Sequence, residues 1–392
     1  MRPLEGITVV ALEQVIAGPF CTRHLADLGA RVIKIERPGS GDAARAYDKT
    51  VHGVSSHFVW VNRSKESLSL DVKHPGAKAI LAKLLSRADV FVQNLAPGAA
   101  ERLGLGAAEL RAKHPQLVWC GISGYGPAGP YAEKKAYDLL VQCETGLLSV
   151  TGTPQDPAKA GIPVADIASG MYAFSSILAA LLRRGKTGEG ATLDITMFEA
   201  LGEWMGFPAY FTQYGGSAPP RSGAFHATIA PYGPFRTGSG ETVFLGVQND
   251  REFARLCDIV LGNSALAADP RYATGPARDA NRASLQAEIE GAFSSLSAEQ
   301  AIERLDRAEI ANARMNDMRG FWSHPQSAAR GRWVTVGSPG GEVDALKPPF
   351  NISGFEPRMD PVPAVGEHTR ALLAELGYTV TDIDRLAHEG AV

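Results

Sequence analysis

Short apolar runs alternate with amphipathic stretches through the first 200 residues of the chain. Residues 6–12 are apolar and β-branched, which predicts a strand buried on both faces. A helix is predicted over 20–28, stopping at Gly29 as a C-cap. Residues 31–35 read as a second strand that ends at Glu36-Arg37-Pro38-Gly39. Further strands are expected over 67–72, 89–92 and 117–120, with Pro75 opening one helix and another running near 99–113. This β-α-β-α order predicts an α/β fold: a Rossmann-like domain whose parallel sheet is covered by helices on both faces.

Beyond residue 200 the pattern changes. Tyr214-Gly215-Gly216-Ser217-Ala218-Pro219-Pro220 is rich in turn formers and marks a domain crossing. Residues 233–247 read as a hairpin turning at Thr237-Gly238-Ser239-Gly240, and helical stretches follow from about 251 to 309. The expected organisation is a large domain over 1–215, a small α+β domain over 225–325, and a C-terminal segment over 330–392 that returns to the large domain. That last segment reads as irregular and proline-rich, with a closing helix near 367–376.

Composition narrows the function classes. The chain has 392 residues, 45% of them hydrophobic, and a net charge of −3. Its charges are interspersed, so no basic block suggests a nucleic acid or anionic membrane partner. No apolar run approaches the roughly 18–20 residues needed to span a bilayer. Glu5 and the lack of a long apolar stretch near the N-terminus argue against a secretory signal, so a cytoplasmic protein is expected. Cys21, Cys120, Cys143 and Cys257 are far apart, and the nine histidines show no ligand spacing. Buried reduced thiols and no metal are the expectation.

Several familiar motifs fail on inspection. Gln14-Val15-Ile16-Ala17-Gly18-Pro19 lies where a dinucleotide fold needs G-x-G-x-x-G, and only Gly18 is present. Gly185-Lys186-Thr187 lacks the glycine five residues earlier that a phosphate loop requires, since Ala180 stands there. Gly121-Ile122-Ser123-Gly124-Tyr125 has the wrong spacing for a serine nucleophile elbow. Asp166 is more informative, because it precedes a helical run over 167–182. An N-cap is the simpler reading, and it is compatible with a nucleophile that the helix N-terminus keeps ionised. The small residues Ala165, Ala168, Ser169 and Gly170 leave room beside it for a bulky thioester. Basic residues Arg37, Arg63, Lys65, Lys73, Arg102 and Lys135 recur at or near element ends, where ligands of such sheets commonly bind.

Seven segments together resemble the CaiB–BaiF family of class III coenzyme A transferases. They are the 14–19 turn; Leu25-Ala26-Asp27-Leu28-Gly29-Ala30-Arg31 running on to Gly39; the 62–71 stretch beginning Asn62-Arg63-Ser64-Lys65; Val92-Gln93-Asn94-Leu95-Ala96-Pro97-Gly98; Gly121-Ile122-Ser123-Gly124-Tyr125-Gly126; Lys186-Thr187-Gly188-Glu189-Gly190; and Ala230-Pro231-Tyr232-Gly233-Pro234-Phe235. The resemblance implies a large Rossmann-like and a small domain, in an interlocked homodimer. It implies that Asp166 is the catalytic aspartate. Arg37, Leu70, Lys73, Asn94, Leu95, Arg102, Lys135 and Tyr137 match positions that hold CoA, and Gln14, Val15 and Ala17 match the segment beside its pantetheine arm. CoA and acyl-CoA enter as substrates, and no cofactor is permanently bound. Ile16 replaces a glutamine found over the active site in some members, Leu95 replaces an aromatic residue, and the four-glycine loop of formyl-CoA transferases is not evident. These departures point away from oxalate or formate.

The implied reaction moves CoA from a donor such as succinyl-CoA to a small carboxylic acid through an aspartyl-CoA thioester. Dicarboxylates such as itaconate, mesaconate or citramalate are expected, with Arg45 and Tyr47 binding the distal carboxylate. An α-methylacyl-CoA racemase is the alternative in the same fold. It needs a histidine base where this chain has Tyr137, a phenol with a pKa of about 10. A non-catalytic CoA-binding protein is the third reading.

Overall fold

The computed structural model describes all 392 residues. The chain forms two compact units: Met1–Thr145, Ala160–Met205 and Ser327–Val392 make the first, and Gly146–Lys159 with Gly206–Gln326 the second. The expected boundary at 215 therefore moves to 205, and residues 146–159 leave the large unit for the second one. The C-terminal segment belongs to the large unit.

The large unit is built on β1 (Thr8–Leu12), β2 (Arg31–Glu36), β3 (Lys65–Ser69), β4 (Val90–Gln93), β5 (Val118–Ser123) and β6 (Ala191–Thr196). All pairings are parallel and the order is β3-β2-β1-β4-β5-β6. The connecting helices are α1 (Ala17–Asp27), α2 (Ser56–Asn62), α3 (Ala77–Leu85), α4 (Ala99–Arg102), α5 (Ala107–Lys113) and α6 (Asp138–Glu144). After the short α7 (Leu147–Val150) of the second unit come α8 (Val164–Thr187) and α9 (Met197–Trp204).

Alternation along the strands sorts the core into two layers. Val10, Leu12, Ile33, Ile35 and Phe91 face Ile80 and Leu84 of α3, with Leu372 and Leu386 from the C-terminal helices. Val9, Ala11, Val32, Val92 and Val118 face Cys21 and Leu25 of α1 and Ala173 and Ile177 of α8. Both faces of the sheet are covered, which is why its central strands read as unbroken apolar runs.

Several expectations are corrected. The helix near 99–113 is two helices, because Gly104 adopts a left-handed φ of 72° and stops α4. The third strand begins at Lys65, earlier than its apolar residues suggest. β6 is not among the predicted strands; its Thr-Leu-Asp-Ile alternation fits an edge strand paired only with β5. Residues 330–392 hold the hairpin Trp333–Ser338 with Gly341–Leu346, and a second closing helix over Val380–His388. Cys143 is exposed, whereas the other three thiols are buried. The second unit carries an antiparallel sheet of Tyr232–Arg236, Thr242–Gly246 and Ala311–Arg314, so the predicted hairpin gains a third strand. Its core gathers Phe235, Leu245, Phe253, Tyr272, Ile289 and Phe293.

The 24-residue α8 contains an 18-residue stretch with a mean hydropathy of 1.5, long and apolar enough to cross a membrane, although no uninterrupted apolar run in the sequence suggests it. Here it packs against α1. Gly170 makes this contact possible, since a Cβ there would lie 2.7 Å from the Ala17 carbonyl oxygen and 3.2 Å from the Phe20 ring. Gly170→Ala should force the helices apart and lower stability by about 1–3 kcal/mol, as overpacking does. Urea unfolding checks this; an unchanged midpoint would show that the two backbones tolerate separation.

Candidate active site

In a parallel sheet of this order, ligands bind outside the carboxyl ends of the strands where the order reverses, here between β1 and β4. The chain after β1 crosses that point as a tight turn over residues 14–17. Asn94, just past β4, grips it from both sides: the Gln14 N–H donates to Asn94 Oδ1 at 2.8 Å, and Asn94 Nδ2 donates to the Gln14 carbonyl at 2.8 Å. Val15 follows with φ at 65°, a left-handed conformation that a β-branched residue rarely adopts. Holding it costs on the order of 1–3 kcal/mol, so the surroundings must impose it.

A buried ionic network imposes it. Asp42 accepts the Val15 N–H at 3.0 Å and the Ala44 N–H at 2.9 Å, and its other oxygen takes Lys34 Nζ at 2.8 Å. Lys34 also donates to the Glu13 carbonyl at 3.3 Å. The Glu13 carboxylate takes Lys65 Nζ at 2.8 Å and the Thr22 hydroxyl. Glu36 accepts a bidentate pair from Arg45 at 2.8 and 2.7 Å, the Ser67 hydroxyl at 2.6 Å and the Asp42 N–H at 2.9 Å. Burial opposes charge on each group, yet opposite charges prevail at three of them. Asp42, Glu13 and Glu36 raise the Lys34 pKa; Lys34 holds Asp42 below the usual carboxylate range, and Arg45 with Lys34 does so for Glu36. Burial still pulls Lys65 down to about 8.

Asp166 lies in the first turn of α8, not before it. The helix starts at Val164, and its N-cap, Pro163, has no side chain that can accept a hydrogen bond. The capping carboxylate comes from Asp138 at the start of α6: its Oδ1 accepts the Ala165 N–H at 2.7 Å and the Asp166 N–H at 3.4 Å. Gln142 steadies Asp138 by donating to its other oxygen at 2.6 Å. Burial, and then the charge of Asp138, push the Asp166 carboxyl up to about 7. The expectation that the helix N-terminus keeps it ionised is thus overturned, because Asp138 already occupies the amides that would have done so. Ile167 packs with Ile16, Phe20, Val61 and Val15, which sets the 14–17 turn beside Asp166. Tyr47 lies outside this cluster; it is more than half exposed, with its ring edge-on to that of His57. Burial raises its phenol pKa, and Asp42, Asp166 and Tyr137 raise it further, so the ring lies within electrostatic reach of both site residues.

The remaining sequence-predicted residues fall into two sets. Arg37, Lys73, Arg102 and Lys135 are exposed and follow β2, β3, β4 and β5, on the ligand-binding side of the sheet. Arg102 reaches the Pro97 carbonyl, and Lys134, the neighbour of Lys135, is instead tied to Glu144. Tyr137 is also exposed. The other set is already engaged. Arg63 is buried in a bidentate pair with Asp27, and Lys65 is held by Glu13, so neither is a free phosphate ligand. Arg45 is bound to Glu36 and the Pro363 carbonyl and lies 3.6 Å over the Phe58 ring, which removes it as the distal-carboxylate ligand. The Leu70 side chain is in the core, leaving only its main chain to meet a ligand. Leu95 packs against that core and donates its N–H to the Gln93 side chain. Ile16 is buried rather than presented to a substrate, Ala17 is buried at the start of α1, and the Gln14 side chain accepts the Ala43 N–H at 3.1 Å. Sequence reasoning missed Asp42, Glu13 and Asp138 as members of the site. The available signal was Asp42 in a Gly41-Asp42 turn close after a parallel strand.

Residues 4–369 match the family model described as CoA-transferase family III. A protein of Mus musculus named succinyl-CoA:glutarate CoA-transferase is 33% identical over 397 residues, covering 100% of this chain and 91% of that protein. The acetyl-CoA:oxalate CoA-transferase of Acetobacter aceti is 36% identical over 377 residues, covering 95% of each. The crystal structure of a CAIB/BAIF family protein from Brucella suis superposes with a TM-score of 0.85 at 33% identity, covering 96% of this chain and 99% of that one. Nearly the whole length of the chain is thus accounted for by one kind of protein: it belongs to CoA-transferase family III and is a CoA-transferase.

Proposed function

We propose that the protein transfers CoA from an acyl-CoA donor such as succinyl-CoA to a small dicarboxylic acid, with Asp166 as the covalent nucleophile. The observation that carries this reading is the Asp166 carboxyl itself. It is partly buried at the start of α8, among small residues, and burial and Asp138 are what act on it, with no hydrogen bond holding its oxygens. Such a carboxylate is poorly solvated and keeps its lone pairs for attack.

In the proposed cycle an Asp166 oxygen attacks the donor thioester carbonyl, forming a mixed anhydride and releasing CoA thiolate. The thiolate attacks the Asp166 acyl carbon, giving the aspartyl-CoA thioester and the free donor acid. The acceptor carboxylate attacks that thioester, and the released thiolate then takes the acceptor acyl group, restoring the Asp166 carboxylate. CoA enters and leaves as a substrate. The first turn of α1 has no side-chain cap and meets α8 at Gly170, which makes its N–H groups candidates to stabilise each oxyanion. Arg37, Lys73, Arg102 and Lys135 are the cations available to CoA phosphates, and Tyr47 is the donor left for the acid. The names of the similar enzymes, which pair CoA with glutarate or oxalate, support a dicarboxylate. A homodimer belongs to the same reading: Ile162, Leu182 and Trp204 of the large unit are apolar and exposed, as surfaces covered by a second copy are.

Incubation with succinyl-CoA, followed by hydroxylamine or borohydride trapping and peptide mass spectrometry, should place a modification on Asp166 that Asp166→Ala lacks. Loss of stereochemistry at the α-carbon of α-methyl acyl-CoA, with no adduct, would replace transfer by racemisation. The pH dependence follows from the raised carboxyl. Attack needs the ionised form, so kcat/KM for the donor should fall below pH 7, approaching tenfold for each step of one pH unit. Asp138→Asn removes one of the two causes of the raised pKa and should move that limb to lower pH.

Stability should run the other way. Between about pH 4 and 7 the folded state holds a proton that the unfolded state has released, and each step of one pH unit across that window costs the fold about 1.4 kcal/mol. The wild type therefore loses stability as pH rises through that window, and Asp166→Asn should be the more stable protein at pH 8 but not at pH 4. Equal melting temperatures at both pH values would show that Asp166 titrates as an ordinary surface carboxyl.

A further inference from the structure

Asp42 touches the 14–17 turn, which packs on Ile167 next to Asp166, and the segment leading to Tyr47, whose phenol feels the Asp166 charge. One oxygen takes the N–H of Val15, the left-handed residue of the 14–17 turn, and the N–H of Ala44, which opens the short 3-10 helix Ala43–Ala46 leading to Tyr47. A second link joins the same two segments, from the Ala43 N–H to the Gln14 side chain. The far oxygen is held by Lys34, a fully buried ammonium that also grips the Glu13 carbonyl just before the turn. Asp42 is itself buried, so it is not a ligand for substrate.

We propose that Asp42 is a positioning residue for catalysis: its carboxylate locks the 14–17 turn to the segment carrying Tyr47, so that both are held in place beside Asp166. The inference rests on the reading of Asp166 as nucleophile. Val15 supplies a means of testing it. A valine leaves the left-handed region when its anchor is removed, because its branched Cβ makes extended backbone more favourable. A glycine has no such preference and keeps the turn without an anchor.

Wild type is assayed first for transfer and for the Asp166 adduct; absence of both removes the nucleophile reading itself, independently of Asp42. With the wild type active, Asp42→Ala should lower kcat at least thirtyfold while the KM for the acyl-CoA donor stays within about threefold. Adding Val15→Gly to Asp42→Ala should restore kcat at least tenfold. A role confined to overall stability would change the folded fraction rather than kcat per folded molecule, so kcat is measured on folded protein. If the unpaired Lys34 prevents Asp42→Ala from folding, Lys34→Met/Asp42→Ala removes both charges together, and the same loss and the same rescue are expected in that background. The proposal is overturned if kcat in the folded variant stays within threefold of wild type, or if Val15→Gly fails to raise it.

Discussion

Three carboxylates and three cations meet beside the carboxyl ends of β1 and β2, and the site rests on their mutual satisfaction. Glu13, Glu36, Asp42, Lys34 and Lys65 are buried, the last reaching in from the first residue of β3, and Arg45 is partly buried. Taking such charges out of water costs several kcal/mol each, which close pairing and added hydrogen bonds must offset. Here the offset is nearly complete. Lys65 meets a carboxylate, a carbonyl and the Asn62 amide oxygen, and Glu36 takes four donors. An apolar cluster of equal volume could stabilise the fold as well, but it would not fix the direction of a single backbone N–H. A fully satisfied polar network does, because every member has one arrangement that leaves nothing unpaired.

The consequence is a rigid floor under a mobile reaction. The proposed cycle takes two acids and a thiol in turn at the Asp166 carboxyl, so that carboxyl and its neighbours must stay fixed while ligands exchange. β1 and β4 supply the first anchor through Asn94, and β2 supplies the second through Asp42 and Lys34. The contact of α8 with α1 at Gly170 sets the third, bringing the second turn of α8 to the first turn of α1. Loops alone could not hold these distances; each functional loop here is tied back to a strand end.

The chain announces its sheet and hides its site. Val9, Val10, Ile33, Phe91 and Val92 are apolar and buried, so periodicity finds their strands. Lys34 and Lys65 defeat the same reasoning, because a lysine in a strand reads as solvent-facing or as a strand end. Only the carboxylates on neighbouring segments make its burial possible, and Glu13 is 52 residues from Lys65. Arg45 misleads in the same way: its position after β2 suggests a free cation, and its pairing with Glu36 depends on contacts that no local pattern encodes. The family motif and the helix that follows both point to Asp166, yet the local pattern inverts its environment. Local sequence offers Asp166 as its own cap, whereas the actual cap lies 28 residues earlier at Asp138.

That division of labour between Asp138 and Asp166 has a chemical logic. A carboxylate that caps a helix gives its lone pairs to amide N–H groups, which stabilises its charge and weakens it as a nucleophile. Were Asp166 the cap, the fold would gain stability and the proposed reaction would lose its nucleophile. With Asp138 taking the Ala165 and Asp166 amides, the helix end is satisfied and the Asp166 oxygens keep their lone pairs. Asp138 also contributes a negative charge that raises the energy of the Asp166 carboxylate before any substrate arrives. In the proposed cycle acylation of Asp166 removes that charge, so forming the anhydride would relieve a repulsion between the two carboxylates. The later exchange of anhydride for aspartyl thioester leaves Asp166 uncharged throughout, so the relief would belong to the first bond formed, and the network beneath the 14–17 turn would keep the turn in place while it forms.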